Sequence, residues 1–217
     1  LLSPRLAAVV DALDLELVQA ITDTFRELDS TDHRAIVFTG SGRAFSAGVD
    51  LWQIVDGGPD YVERYLAALI DSFEAVFFTG KPVVAALNGH AIAGGCILAS
   101  GCDYRIMAAG RIGVPELLVG VPFPTSALEI VMHAVGPQRA RTLVQTGATH
   151  EPAAALQLGL VDEVVDADRL EDQALATAIR LADTAPADTF RQTKRQLQLD
   201  VAERLARHRP EQDPQIL

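Results

Sequence analysis

Apolar residues recur at spacings of three and four through Leu13, Leu17, Ala20, Ile21, Phe25 and Leu28, the pattern of an amphipathic helix. Asp14 stands where it can cap the start, and the polar run Asp29-Ser-Thr-Asp-His33 ends it. Residues 35–38 (Ala-Ile-Val-Phe) form a short continuous apolar run, which predicts a strand buried on both faces. A long loop over residues 40–48 then leads to Val49-Asp-Leu51. A second helical pattern passes through Tyr61, Tyr65, Leu69, Phe73, Val76 and Phe77 until Lys81-Pro82 breaks it. Residues 83–87 read as another buried strand, residues 88–95 as a turn, and residues 96–100 as an apolar helical stretch. Residues 103–108 predict a third strand. Past Gly120 the pattern predicts helix over 126–147 and 151–159, extended chain over 160–165, and helix over most of 168–207.

Strands alternating with helices predict an α/β class, and the helix-rich second half reads as a cap or an assembly surface. With 217 residues, 49% of them hydrophobic, the chain is long enough for one domain with its own core. The net charge of -11 argues against a general nucleic-acid binder, but leaves open an anionic small-molecule ligand that responds to local charge. Cys96 and Cys102 are too few for a disulfide framework or a metal cluster. In a helix their spacing sets them about 240° apart, so buried free thiols in a reducing compartment are expected. No apolar run approaches the roughly 18 residues of a membrane span, and no signal peptide is visible. The expected location is cytoplasmic, with no membrane partner.

Two glycine-rich loops follow buried strands, and each is able to turn backbone N–H groups into a shared cleft, because glycine adopts unusual φ/ψ and admits a close substrate. Two such donors on one oxygen would stabilise an enolate or a tetrahedral oxyanion; the plainer reading is two tight turns that serve packing. Gly40-Ser-Gly-Arg-Ala-Phe45 lacks the third glycine of a dinucleotide fingerprint. Ala44-Phe-Ser-Ala-Gly48 resembles a nucleophile elbow without its first glycine, with Asp103 and His133 in the chain order of a hydrolase triad, but Ser46 lies too far beyond its strand.

Glu116, in Val114-Pro-Glu-Leu-Leu-Val119, is the candidate acid–base group. Either the apolar run buries it and raises its pKa towards that of a useful base, or it is an exposed acid in the first turn after Pro115. His90 lies within the second loop, and the remaining histidines show no metal-ligand spacing. Arg191, Lys194, Arg195, Arg204, Arg207 and Arg209 make a basic stretch that would either attract phosphates or balance acidic neighbours.

Six segments in order carry a resemblance: Ala12-Leu-Asp-Leu15, Phe45-Ser-Ala-Gly-Val-Asp-Leu51, Asn88-Gly-His-Ala-Ile-Ala-Gly-Gly-Cys96, Cys102-Asp-Tyr-Arg-Ile-Met-Ala108, Pro115-Glu-Leu-Leu-Val-Gly120 and Ala153-Ala-Ala-Leu-Gln-Leu-Gly-Leu-Val-Asp162. Across nearly its whole length the chain resembles the crotonase superfamily of enoyl-CoA hydratases and isomerases. That resemblance implies a spiral of β-β-α turns over residues 1–150 carrying the acyl-CoA site, and a helical region over 151–217 that builds a homotrimer or a dimer of trimers. It implies that the backbone N–H groups of Ala47 and Gly94 hold the thioester oxygen. Ala44, Phe45, Ser46, Asp50, Leu51, Gly95 and Ile97 would line the substrate and CoA site, with no metal and no cofactor beyond coenzyme A as part of the substrate.

Hydratases of the superfamily carry two glutamates, one just after the second loop and one in the Pro-Glu segment. Here the first position is Ile97, and Glu116 alone remains. One carboxylate suffices for a proton shuttle, so the resemblance points to the Δ3,Δ2-enoyl-CoA isomerase branch. Hydratase, hydrolase or lyase chemistry at the same site is the alternative, and a non-catalytic acyl-CoA binder is the alternative of another class. Set beside the superfamily the chain looks short at both ends, which predicts further residues, including a break near Val10-Asp11 and a continuation past Gln215-Ile-Leu217.

Overall fold

The computed structural model describes residues 12–49 and 51–213, with backbone only for 51–55 and 210–212. The expected break near Val10-Asp11, the expected continuation past Gln215-Ile-Leu217, and Asp50 lie outside the described residues. The chain enters through β1 (Ala12–Leu13) and α1 (Leu15–Ser30). Asp14 caps α1 as expected, its carboxylate accepting the Leu17 N–H at 2.8 Å. At the other end, the ammonium of Lys81 donates to the Leu28 and Thr31 carbonyls, a favourable place for a cation.

Three turns of chain follow, each with one strand in each of two sheets. The first is β2 (Ile36–Thr39), β3 (Ala44–Ser46), β4 (Gly48–Val49) and α2 (Leu51–Phe78), which is broken at Gly58 (φ 70°, ψ 178°). The second is β5 (Val83–Leu87), β6 (His90–Ile92) and α3 (Gly94–Ser100). The third is β7 (Tyr104–Met107), β8 (Ile112–Gly113) and a 3₁₀ turn, Glu116–Val119. Then come α4 (Thr125–Val135), α5 (Pro137–Thr146), β9 (Thr149–His150), α6 (Pro152–Leu158) and β10 (Glu163–Val164). The described chain ends with α7 (Leu170–Asp183), α8 (Ala187–Leu197) and α9 (Leu199–Gln212).

One sheet has the order β10-β7-β5-β2, the other β3-β6-β8-β9, and β1 pairs with β4. All pairs are parallel except β8 with β9. Successive turns therefore stack strand on strand, the β-β-α spiral that the resemblance implies. β5 shows why its apolar run is continuous: Val83, Ala85 and Leu87 face the main core, while Val84 and Ala86 meet Leu170, Ala174 and Ala178 of α7.

Two stretches read as loops contain strands. β3 and β4 lie within residues 40–49, and β6 within 88–95. Strands of two or three residues are too short to show a period, and their hydrogen-bonding partners lie on other turns of the spiral. The predicted helix over 126–147 is two helices, separated at Gly136 (φ 80°, ψ 154°).

The basic stretch is partly taken up by ion pairs within the chain. Lys194 donates to Asp103 at 2.7 Å, Arg204 to Glu129 at 2.6 Å and Arg209 to Glu74 at 3.0 Å, so half of its charge is paired within the chain. Both cysteines are buried free thiols. Among the described residues no helix is long and apolar enough to cross a membrane.

Candidate active site

The two glycine loops meet. β3 and β6 pair in parallel, with a register shift between Ala44 and Ser46, and the chain turns at Ala47 into β4. A Cβ built on Gly48, whose φ is +89°, would lie 2.9 Å from both the Ala93 Cβ and the Ile92 carbonyl oxygen. A Cβ on Gly95 would lie 2.7 Å from the Ser46 carbonyl oxygen and 2.8 Å from its Cβ. The backbones of residues 46–48 and 93–95 are thus in direct contact, closer than side chains would permit. Ser46 accepts the Gly48 N–H at 3.1 Å. Ala47 is exposed between buried Ser46 and Gly48.

Ala93 makes the corner from β6 into α3 in one residue. Its φ of 52° and ψ of -122° lie where a non-glycine residue is strained. It is held there from both sides, its N–H donating to the Gly113 carbonyl at 2.9 Å and its carbonyl accepting from Ile97 at 3.1 Å. Gly94 then opens α3, so its N–H has no intrahelical acceptor and lies at the positive end of the helix dipole. Behind Gly94 stand two buried side chains: a Cβ there would lie 2.8 Å from Leu13 Cδ1 and 3.6 Å from Phe73 Cζ.

Glu116 reaches the same region from the third turn. Pro115 precedes it, and Gly120 (φ 74°) closes the 3₁₀ turn, with the Val121 N–H donating to the Glu116 carbonyl at 3.0 Å. Both expectations for this residue hold in part: it occupies the first turn after Pro115, yet its Oε2 is buried without a hydrogen-bond partner among the described residues. Burial, opposed only by a backbone hydrogen bond of its own residue, raises its pKa from 4.5 to about 7. The carboxylate acts on the first turn of α3. Burial pushes the Cys96 thiol up to about 12, and the charge of Glu116 is the next largest contribution.

The other expected site residues divide by what they can present. Ile97 is 3% exposed and carries no ionisable group. Ala44 and Phe45 turn their side chains into the core, Phe45 packing edge-on to Phe38 at 5.1 Å, which leaves their backbone for a ligand. Leu51 opens α2. Tyr65, Leu13 and Phe73 read in the sequence as ordinary members of apolar patterns, and Ala93 as part of the second glycine loop.

The hydrolase arrangement does not assemble. Asp103 accepts from the Val83 N–H at 2.8 Å and the Lys194 ammonium at 2.7 Å, while His133 packs edge-on to Phe77 at 5.1 Å. His90 is exposed and accepts the Arg111 N–H on Nδ1 at 3.2 Å. Among the described residues no three His, Cys, Asp or Glu side chains cluster as a metal site.

Comparison with known proteins identifies the family. Residues 6–215 match the family model for enoyl-CoA hydratase/isomerase. The chain is 35% identical over 201 residues to a "Probable enoyl-CoA hydratase" of Rhizobium meliloti (strain 1021), covering 90% of this chain and 77% of the relative. It is 30% identical over 205 residues to the mitochondrial enoyl-CoA delta isomerase 1 of Rattus norvegicus, covering 92% and 71%. The crystal structure of human mitochondrial delta3-delta2-enoyl-CoA isomerase superposes with a TM-score of 0.87 at 29% identity, over 93% of this chain and 80% of that one. With two glycine loops in contact on a β-β-α spiral and a family model that matches residues 6–215, the chain belongs to the enoyl-CoA hydratase/isomerase family.

Proposed function

We propose that this protein is an enoyl-CoA isomerase that moves the double bond of a 3-enoyl-CoA to the 2-trans position. Glu116, as carboxylate, takes a proton from C2. The electron pair spreads through the dienolate onto the thioester oxygen, held by the N–H groups of Ala47 and Gly94. Glu116, now the acid, returns a proton at C4, so no atom is gained or lost. Fixed donors aimed at an oxygen that gains charge contribute several kcal/mol to such a step. No cofactor is needed beyond the coenzyme A of the substrate.

The observation that carries this reading is the pairing of Glu116 with Ile97. Among the described residues, Glu116 has a buried carboxylate oxygen without a hydrogen-bond partner and acts on the first turn of α3, and the position that would hold a second acid is a buried isoleucine. Hydration needs one group to activate water and another to deliver a proton, whereas allylic transfer needs one group that does both. A hydratase is the second reading, favoured by the name of the Rhizobium meliloti relative.

A product-resolved assay separates them. Purified protein given short, medium and long 3-enoyl-CoA substrates is expected to yield 2-trans-enoyl-CoA. Accumulation of 3-hydroxyacyl-CoA from a 2-enoyl-CoA, with 3-enoyl-CoA left unchanged, overturns the isomerase in favour of the hydratase. Stoichiometric binding without turnover of either substrate points to a binder. By the same resemblance we expect a homotrimer or a pair of trimers, which sedimentation checks.

A further inference from the structure

Leu13 touches both glycine loops. Its backbone, in β1, pairs in parallel with Val49 of β4, two residues past Ala47. Its side chain, 1% exposed, stands directly behind Gly94, where an added Cβ would meet Leu13 Cδ1 at 2.8 Å. Whatever fixes Leu13 therefore fixes the backbone that leaves the first loop and the wall against which the second loop rests. A two-residue strand has too few ladder hydrogen bonds to do this alone.

The fixing contact comes from α2. Tyr65, 1% exposed, donates its hydroxyl to the Leu13 carbonyl at 2.6 Å across 52 residues of sequence. The ring of Tyr61 stacks on it, at 6.0 Å between centroids and 15° between planes, so the hydroxyl is aimed by a side chain with little rotational freedom. Phe73, two turns further along the same helix, reaches the rear of Gly94 directly.

We propose that Tyr65 is a positioning residue for the two thioester-oxygen donors, acting through the Leu13 carbonyl on Ala47 and through the Leu13 side chain on Gly94. The inference rests on the donor roles given above to Ala47 and Gly94, and not on which acyl-CoA reaction follows. A tyrosine that merely satisfied a buried carbonyl would contribute to stability alone. A positioning tyrosine also sets how strongly the site polarises a bound thioester carbonyl.

The test uses the whole protein and its Tyr65→Phe variant, with 2,4-hexadienoyl-CoA as the probe. Polarisation of the probe's thioester carbonyl shifts its absorption band to the red on binding. The wild type is expected to show the shift, and Tyr65→Phe to show half of it or less. The variant's kcat is expected to fall about ten-fold, less than the roughly 10²–10³-fold loss from deleting an oxyanion donor outright. KM is expected to stay within about two-fold, since binding of the CoA portion is untouched. If Tyr65→Phe does not fold, Leu13→Val tests the same path, because it keeps the hydroxyl–carbonyl bond and shortens the wall behind Gly94. A diminished shift supports the proposal there too.

A wild-type shift and kcat retained in Tyr65→Phe, with only the melting temperature lowered, overturn the proposal. No shift in the wild type removes the donor reading and the proposal with it. A shift diminished in Tyr65→Phe, in a protein that does not isomerise 3-enoyl-CoA, sustains the proposal and overturns the isomerase alone.

Discussion

Asp213, at the end of α9, accepts hydrogen bonds on one carboxylate oxygen from both the backbone N–H of Thr125, at 2.9 Å, and its hydroxyl, at 2.7 Å. Thr125 is the first residue of α4, and the residue before it is Pro124, which offers no side-chain cap. A helix start that has no local acceptor is therefore capped from 88 residues away. Residues 116–124 join Glu116 to this point, so Asp213 secures the far end of the segment that carries the carboxylate. Arg209 extends the tie, pairing with Glu74 of α2 at 3.0 Å.

Removing this cap is expected to loosen α4. Asp213→Ala should cost about 1–2 kcal/mol, the usual range for losing a helix cap, read as a lower urea midpoint. Asp213→Asn, which keeps an acceptor in place, should retain most of the stability. Equal losses for the two would indicate that charge, and not the cap, is what matters.

Glu116 gives a pH dependence of opposite sign for activity and for stability. The reaction needs the carboxylate, and burial raises the pKa to about 7, so kcat/KM should rise with pH and level off above that value. Glu116→Gln should abolish this limb and lower turnover by about 10²–10⁴-fold. Between pH 4.5 and about 7 the folded chain holds a proton that the unfolded chain has released. The contribution of this group to stability therefore falls through that window and is constant above it. The full penalty is on the order of 3 kcal/mol, so Glu116→Gln should be the more stable protein at pH 8 and lose that advantage near pH 4.5. Urea midpoints of both proteins at the two pH values check this.

The two adjacent glycines at the start of α3 should respond differently to alanine. At Gly94 the obstructing atom is a side-chain methyl, Leu13 Cδ1 at 2.8 Å, whereas at Gly95 it is the Ser46 backbone oxygen at 2.7 Å. The second obstruction is relieved only by moving the first loop. Gly95→Ala should therefore lower kcat/KM by about 10²-fold or more, and Gly94→Ala by about ten-fold, because displacement of donor groups by about 1 Å costs two orders of magnitude. Steady-state kinetics of both variants decide the order.

Lys194 is a structural cation, 6% exposed, that donates to Asp103 at 2.7 Å and to the Lys81 carbonyl at 3.1 Å. Lys194→Met leaves the Asp103 carboxylate without its counter-charge and should cost about 3–5 kcal/mol. Denaturant unfolding measures the loss. Turnover per folded molecule should be unchanged, since Lys194 lies in α8 and Asp103 follows the end of α3 opposite Gly94.

The main elements follow from local pattern because local physics suffices for them. Periodic apolar residues and the Asp14 cap define α1, an unbroken apolar run defines β5, and the glycines mark both corners. Ordered motifs were enough to indicate the family and to single out Glu116. They left open whether Glu116 was buried, because that depends on what packs over it.

What only the tertiary structure decided comes from contacts between residues far apart in sequence. β3, β4 and β6 are too short to carry a period and exist through pairing with strands of other turns. The basic stretch reads equally as a phosphate site or as charge balance, and the placing of Asp103, Glu129 and Glu74 against Lys194, Arg204 and Arg209 makes half of it charge balance. Tyr65 and Leu13 looked like members of two separate helical patterns; one hydrogen bond across 52 residues makes them a single support behind the site. Residue order is enough to specify periodicity and turn chemistry, but burial, ion pairing and the aim of a backbone N–H are properties of the assembled spiral.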